Sequence, residues 1–370
     1  MEKLCVFCGN KPEGKSNEHV LPRWLVELTG NPKRIARFGY KNGTSSLSDK
    51  RTYSFDAFKF PSCESCNDNF SRLEAATKSI VQKMLSDDSL SATEFSTLLD
   101  WFDKIRIGLW LAYLYLDKNP AGITPKFYVA RRIGVHDRML AIFKADGDQE
   151  GLNDCGTDMP SFWYTPSCFS LRINNYCFLN MSYNNLFSRR IGFPFPTESF
   201  MREDGQILCR FAEGRNRVMI PLLRKRFSIH GTELYQPMFP DSIRDPNARK
   251  FYNTKYVRDN SMSWEQGIGK VFIRYNTGLQ EYHTSSSKVW IPRKAYEFET
   301  LLFEMQLLTL EWQIYIDSLA PSFEMLPKEK KRSFRQNLRL NKWHNQEIIR
   351  MLHKMAKELG MSAPYPIEVD

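Results

Sequence analysis

The chain of 370 residues has the composition of an ordinary globular protein, with 42% hydrophobic and 25% charged residues. This balance excludes wholesale disorder and collagen-like repeats, and the length leaves room for two or three domains. The excess of 52 basic over 42 acidic residues gives a net charge of +10, which favours a polyanionic partner such as nucleic acid. The most apolar stretches, 105–116 and 301–316, are interrupted by charged residues, so we expect no membrane span. The N-terminus lacks an apolar signal core, and we expect a cytoplasmic protein.

Two Cys-x2-Cys pairs stand near the start of the chain, at Cys5/Cys8 and at Cys63/Cys66. Without an export signal, this spacing is typical of zinc rather than of disulfides, because two thiolates on one tight turn can share a tetrahedral ion. We therefore predict a closed structural zinc site with four cysteine ligands. Residues 9–62 separate the pairs, which is long enough to hold structure of its own.

Hydrophobic periodicity and turn signals predict the elements around this zinc unit. A short helical turn is expected within 20–28, and two β-rich runs, 34–40 and 52–60, flank a Lys-Asn-Gly turn and predict an inserted hairpin. Apolar residues at helical spacing predict one helix over 62–85 and a second from about 92 to 117, with Ser91 or Thr93 as its N-cap.

The pattern changes after a Pro- and Gly-containing break at 119–125. Short β-rich runs dominate from 126 to 298, at 127–129, 139–143, 168–173, 176–181, 206–211 and 270–275, with polar turns between them. Helical periodicity returns over 293–319 and 328–359. The predicted class is α+β, divided into a zinc unit (1–85), a helical connector (86–120), a β-rich α+β domain (121–298) and a C-terminal helical region (299–370).

A chemical motif lies inside the zinc unit. Asn-Glu-His-Val-Leu-Pro occupies 17–22, between the cysteine pairs, and Asn67 directly follows Cys66, with Phe70, Leu73 and Glu74 after it. Two cysteine turns, an acid–histidine pair and this asparagine, in this order, resemble the HNH endonuclease family. The resemblance covers about the first 75 residues and implies a ββα-metal fold on a four-cysteine zinc support, followed here by a larger mixed α+β module with C-terminal helices.

The resemblance implies a role for each residue of the motif. His19 is expected to act as the general base, while Glu18 and Asn67 offer hard oxygen ligands to a catalytic Mg²⁺ or Mn²⁺. Glu74, seven residues after Asn67 and thus on the same helix face, is a further candidate ligand. The alternatives are a structural or zinc-binding His19, a surface Glu18, a helix-capping Asn67 and a solvated Glu74. One departure from the family is that 55–60 holds no asparagine, where members carry one that braces the base.

Two clusters of basic residues are candidates for binding phosphates without sequence preference. They are Arg215, Arg217, Arg224, Lys225 and Arg226, and the helical stripe Lys328, Arg332, Arg335, Arg339 and Lys342. The alternative for each is a solvated surface.

The leading hypothesis is a metal-dependent endonuclease acting on nucleic acid, with DNA favoured over RNA through the resemblance alone. Families of this kind are common in bacteria and phages, so a role in defence is a further hypothesis. A second hypothesis is a zinc-containing module that binds nucleic acid without cutting it. A third is an effector subunit that a protein partner or an activating ligand switches on through residues 121–370.

Overall fold

The computed structural model describes residues 4–14, 16–40, 50–54, 59–116, 138–182, 195–201, 207–212, 231–236, 261–263, 268–269, 271–275, 278–281, 295–318 and 328–361. This part of the chain is a mixed α+β structure, as predicted. Its helices are α1 (Arg23–Leu28), α2 (Glu64–Leu85), α3 (Ala92–Leu116), α4 (Pro160–Tyr164), α5 (Phe298–Ser318) and α6 (Lys328–Glu358). Its strands are β1 (Ser16–His19), β2 (Ile35–Tyr40), β3 (Lys50–Ser54), β4 (Lys59–Ser62), β5 (Arg138–Ala145), β6 (Leu152–Cys155), β7 (Cys168–Ile173), β8 (Tyr176–Ser182), β9 (Phe195–Met201), β10 (Ile207–Ala212), β11 (Thr232–Gln236), β12 (Ser261–Ser263), β13 (Ile268–Gly269), β14 (Phe272–Tyr275), β15 (Gly278–Glu281) and β16 (Ala295–Tyr296).

The N-terminal unit consists of two antiparallel strands followed by a helix. β1 pairs with β4, so that Glu18 lies opposite Phe60 and His19 opposite Lys59. The expected hairpin is confirmed, since β2 pairs with β3 between these two strands. The predicted strand 52–60 is wrong in one respect: the structure divides it into β3 and β4, which pair with different partners. As a separate strand, β4 pairs with β1 and runs directly into the second cysteine pair and α2.

Helix α3 begins with a reciprocal cap. The backbone N–H of Glu94 donates to the Ser91 hydroxyl at 3.2 Å, and the backbone N–H of Ser91 donates to the Glu94 carboxylate at 2.8 Å. Such a capping box satisfies two backbone donors that the first turn leaves unpaired. Ser91, rather than Thr93, is therefore the N-cap of α3.

A central sheet orders its strands β15-β14-β11-β5-β8-β7-β6, and β16 adds a short parallel pairing to β5. Alternation along β5 sends Leu140 and Ile142 into one apolar cluster and Met139, Ala141 and Phe143 into another. The first cluster also contains α3 and the N-terminal unit, and the second contains α5. Both faces of the sheet are thus covered, which explains why its strands read as nearly continuous apolar runs.

Helix α6 lies outside α5, against which it packs Ile349 and Ala356. Within the described residues, no helix combines the length and the apolar character that crossing a membrane requires. The division of the chain into four regions stays a prediction, and one apolar cluster joins residues from the first three of them.

Candidate metal centre and catalytic site

The four predicted zinc ligands come together. The Sγ atoms of Cys5, Cys8, Cys63 and Cys66 all lie within 4.8 Å of one another. Two backbone N–H groups point at these sulfurs, from Cys63 to Cys5 Sγ at 3.3 Å and from Glu13 to Cys63 Sγ at 3.4 Å. Four thiolates at this separation can hold a metal such as zinc, and the site is closed because the protein supplies every ligand.

Four thiolates this close repel one another, and a bound cation would compensate their charge. Burial and the neighbouring thiolate of Cys5 raise the pKa of the Cys66 thiol to about 12. Four sulfurs this close cannot all ionise near neutral pH unless a positive ion compensates their charge. The donor set therefore fits a divalent soft or borderline ion, as the spacing of the cysteines predicts.

Asn67 faces β1 from the first turn of α2. Its Nδ2 donates to the Ser16 hydroxyl at 3.0 Å, across the boundary between helix and strand. Because side chains alternate along a strand, Glu18 lies on the same face of β1 as Ser16. Glu18 and Asn67, both predicted ligands of the catalytic ion, thus belong to one side of the strand. His19 is the last residue of β1, one position after Glu18, so alternation alone directs it to the opposite face; the chain bends at the next residue, Val20, and the Nε2 of His19 is shielded from solvent.

A buried ion network joins Glu18 to two helices. The ammonium of Lys104, in α3, contacts a Glu18 oxygen at 2.5 Å and also pairs with Glu74 of α2. The Lys104 side chain is 3% exposed, and the two carboxylates are 12% and 13% exposed. Glu74 also accepts from the indole N–H groups of Trp24 at 2.8 Å and Trp101 at 3.3 Å. This single carboxylate therefore links α1, α2 and α3.

The charges in this network act on one another. Burial alone would lower the pKa of the Lys104 ammonium, but the carboxylates of Glu74 and Glu18 outweigh it and raise that pKa. Burial raises the pKa of Glu18, against the opposing attraction of Lys104. Lys104 accordingly remains a cation and fixes the position of the carboxylate that precedes His19.

Helix α3 also touches the residue that follows His19. Gly108 lies one turn beyond Lys104, and a Cβ at that position would stand 2.9 Å from a methyl carbon of Val20. Glycine is therefore what allows α3 to approach this closely. Both chain neighbours of His19 are held by one helix, through an ion pair on one side and close packing on the other.

The remaining predicted residues fall in two groups. Arg332, Arg335, Arg339 and Lys342 are exposed on α6, whereas Lys328 begins that helix with a side chain outside the described residues. The cluster Arg215, Arg217, Arg224, Lys225 and Arg226 lies entirely outside them. The roles of all these residues stay predictions.

Sequence reasoning missed Lys104 and Gly108, as well as the indoles that bind Glu74. One signal was present, since Lys104 and Arg106 are charged residues at the start of the long apolar run of α3. Charges at such positions are buried and need acidic partners. Arg106 pairs with Asp103 of the same helix, whereas Lys104 pairs with acids from distant segments that the sequence does not identify.

Among the residues that the structure describes, the four cysteines form the one group of three or more His, Cys, Asp or Glu side chains arranged to hold a metal. Comparisons of the chain with protein-family models, with curated proteins and with solved structures find no match. Function is therefore inferred from the residues of the N-terminal unit themselves.

Proposed function

We propose that this protein is a metal-dependent endonuclease that hydrolyses phosphodiester bonds of nucleic acid, with DNA as the expected substrate. The carrying observation is the position of Asn67, whose side chain binds the face of β1 that also presents Glu18, one residue before His19. Two antiparallel strands and a helix, tied to one four-cysteine cluster, support an HNH-like unit of the ββα-metal kind.

Each residue has a distinct task in this proposal. A catalytic Mg²⁺ or Mn²⁺, held by the oxygens of Glu18 and Asn67, would stabilise the charge that develops on the phosphate. His19 takes a proton from the attacking water as general base, which suits a group that titrates near neutral pH. The four cysteines and their zinc keep β4, α2 and the N-terminal turn in register.

Lys104 and Gly108 supply the support that the absent asparagine gives in the family. Lys104 orients Glu18, and Gly108 lets α3 press on Val20, so the backbone of His19 is fixed from both sides. The residues that position His19 therefore belong to α3, which lies outside the first 75 residues that resemble the family. With these two contacts from α3, the base can be held in place without an asparagine in 55–60.

Incubation of supercoiled plasmid with the protein and Mg²⁺ or Mn²⁺ tests the proposal. Nicked and linear products should form with the wild-type protein and with His344→Gln, a half-buried histidine of α6 that serves as the matched control. They should fall at least a hundredfold with His19→Ala, since general-base catalysis contributes about that factor or more. Nicking that survives His19→Ala would remove this site from the reaction.

A binding module without cleavage is the second candidate, and one observation favours it. Glu18 is engaged by Lys104 and Asn67 by Ser16, so both predicted ligands already have protein partners. Salt-sensitive binding of DNA, with no product under Mg²⁺, Mn²⁺, Co²⁺ or Ni²⁺, would select this function over the endonuclease.

A further inference from the structure

Helix α6 carries most of the net charge of the chain. Its 31 residues contain ten Lys and Arg and three Glu, a net charge of +7, out of +10 for all 370 residues. The basic residues extend well beyond the stripe that ends at Lys342. Steps of three or four residues continue the row on one side of the helix, and we call this row the α6 ridge: Arg332, Arg335, Arg339, Lys342, Gln346, Arg350, His353 and Lys357.

Six of the eight positions of the α6 ridge are exposed, whereas Gln346 and His353 are partly buried and His353 packs edge-on against Phe303 of α5. The buried positions of the helix are Asn341, Asn345, Ile349 and Ala356, which lie toward α5. The ridge spans 26 residues, or about 38 Å, with one position about every 5 Å. No position in the ridge is acidic. Six of its eight positions carry Lys or Arg, although Arg350 also pairs with Glu347. Positive charge along most of this length matches an extended polyanion that can lie along it.

Exposed apolar side chains flank the α6 ridge. The large hydrophobic residues that stand out as exposed in the described structure lie in α6 or directly after it: Leu340 (61%), Trp343 (58%), Met351 (45%) and Met355 (51%) in the helix, and Leu359 (73%) just past its end. Trp343 lies four residues after Arg339 and seven before Arg350, directly beside the ridge. An exposed cluster of this kind on a folded protein marks a surface that a partner covers.

The combination of a charged row and an apolar flank discriminates between partners. A duplex offers phosphates but keeps its bases stacked inside, so it would leave Trp343 and Met351 uncovered. A single strand offers both, since its phosphates can follow the ridge while its bases stack on aromatic and apolar side chains. An anionic membrane fits poorly, because Glu347 and Glu358 stand among the exposed apolar residues and would enter the lipid interface with them.

We propose that α6 binds a single-stranded segment of nucleic acid along its length, with phosphates on the α6 ridge and a base stacked on Trp343. The inference rests on the proposed function in one respect, namely that the bound strand belongs to the substrate. It narrows the substrate class to nucleic acid with an unpaired stretch, such as a flap, a bubble or a displaced strand.

Fluorescence anisotropy with the full-length protein tests this directly, without added Mg²⁺ or Mn²⁺ and without chelator. The probes are fluorescein-labelled dT30, rU30 and a 30-bp mixed-sequence duplex, at several salt concentrations. We expect dT30 to bind at least tenfold more tightly than the duplex at equal salt. Arg335→Gln with Arg339→Gln should lower the salt slope for dT30 by about 1.4, since each lost phosphate contact on a single strand removes about 0.7.

Matched substitutions separate the ridge from the net charge. Gln346→Glu adds one negative charge within the ridge and should weaken dT30 binding severalfold. Ser333→Glu adds the same charge at an exposed position away from the ridge and should change binding less than twofold. Trp343→Ala should weaken dT30 binding about tenfold, the effect of losing one stacked base, and leave duplex binding unchanged.

Several results would overturn the inference: duplex binding as tight as dT30 binding, equal effects of Gln346→Glu and Ser333→Glu, or capture by phosphatidylserine vesicles in place of the oligonucleotides. Failure of the proposed function is distinguishable from these results. If plasmid is never cut but dT30 still binds through the ridge, the endonuclease proposal fails and this one stands. If plasmid is cut but the ridge substitutions leave dT30 binding unchanged, the endonuclease proposal stands and the proposal for α6 fails.

Discussion

Lys104 is a buried cation that holds together two segments of the candidate site. Its ammonium compensates two carboxylates that come from a strand and a helix far apart in sequence, Glu18 and Glu74. Breaking such a buried ion network leaves like charges facing each other in a medium that solvates them poorly. The residue is therefore as important to the geometry of the candidate site as the residues that the motif contains.

We expect Lys104→Met to lower the free energy of unfolding by about 3–5 kcal/mol, because it leaves two buried carboxylates without their cation. Urea unfolding followed by circular dichroism measures this change. Lys78→Met, at an exposed position of α2, is the matched control and should stay within about 0.5 kcal/mol of wild type.

A triple variant tests whether the lost stability comes from the uncompensated charge. Adding Glu18→Gln and Glu74→Gln to Lys104→Met removes the uncompensated charge, so part of the lost stability should return. A loss below about 1 kcal/mol for Lys104→Met, or no recovery in the triple variant, would contradict the role assigned to the network.

At this scale, sequence reasoning succeeded where the determinants are local. The four cysteines were identified because each pair is defined by a two-residue spacing, which is visible without knowing the fold. Lys104 escaped because its partners stand 30 and 86 residues away in sequence. Gly108 escaped because only the approach of α3 to Val20 makes a glycine necessary there.

Helices were predicted within a few residues, since their 3.6-residue period is a local property. The predicted ranges 62–85, 92–117 and 328–359 correspond to α2, α3 and α6. α3 shows what the pattern does not reveal, because it is buried on the side of the N-terminal unit and also on the side of the sheet. The predicted strand 127–129 and the turn at 41–43 lie outside the described residues.

The junction of α4, α5 and α6 contains a carboxyl group whose titration should affect stability. Asp317, near the end of α5, accepts from the Ser161 hydroxyl of α4 at 2.7 Å and bonds to Asn341 of α6. Burial raises the pKa of Asp317 to about 6, despite these hydrogen bonds. An unfolded aspartate ionises near pH 4, so the folded state binds an extra proton between about pH 4 and pH 6.

Stability should therefore fall as the pH rises through this window, by at most about 3 kcal/mol in total. Asp317→Asn removes the titrating group. We expect the unfolding free energy of the variant, relative to wild type, to increase from pH 4 to pH 6.5 and to change little above that. Asp148→Asn, in an exposed loop, should leave the pH dependence of wild type intact, and parallel curves for wild type and Asp317→Asn would refute the assignment.

At the scale of the whole molecule, an apolar core joins the N-terminal unit to the rest of the described structure. One cluster runs from Phe7 and Val20 through α2 and α3 to the strands of the central sheet. Phe60 of β4 packs edge-on against Tyr115, near the end of α3, with ring centroids 5.9 Å apart. The bounds at 85 and 120 stay predictions, since the end of a predicted helix and a Pro- and Gly-containing break do not report on which surfaces are covered.

A fragment of residues 1–85 should consequently bind zinc without folding cooperatively. It would expose Ile80, Val81 and Met84, which α3 covers in the full chain, and it would lack Lys104. Thermal melting by circular dichroism and amide dispersion by NMR, with one equivalent of zinc, are the measurements. A sharp melting transition with dispersed amides would show that the unit is independent after all, and the full-length protein is the control.

The proximity of the four sulfurs has a practical consequence for handling the protein. Cys8 Sγ and Cys63 Sγ lie 3.9 Å apart. If a chelator strips the ion in the presence of air, thiols this close can oxidise to a cross-link, and later addition of zinc would then find two of its four ligands gone. Apoprotein should therefore be prepared under a phosphine reductant, and its free thiols should be assayed before zinc is added back.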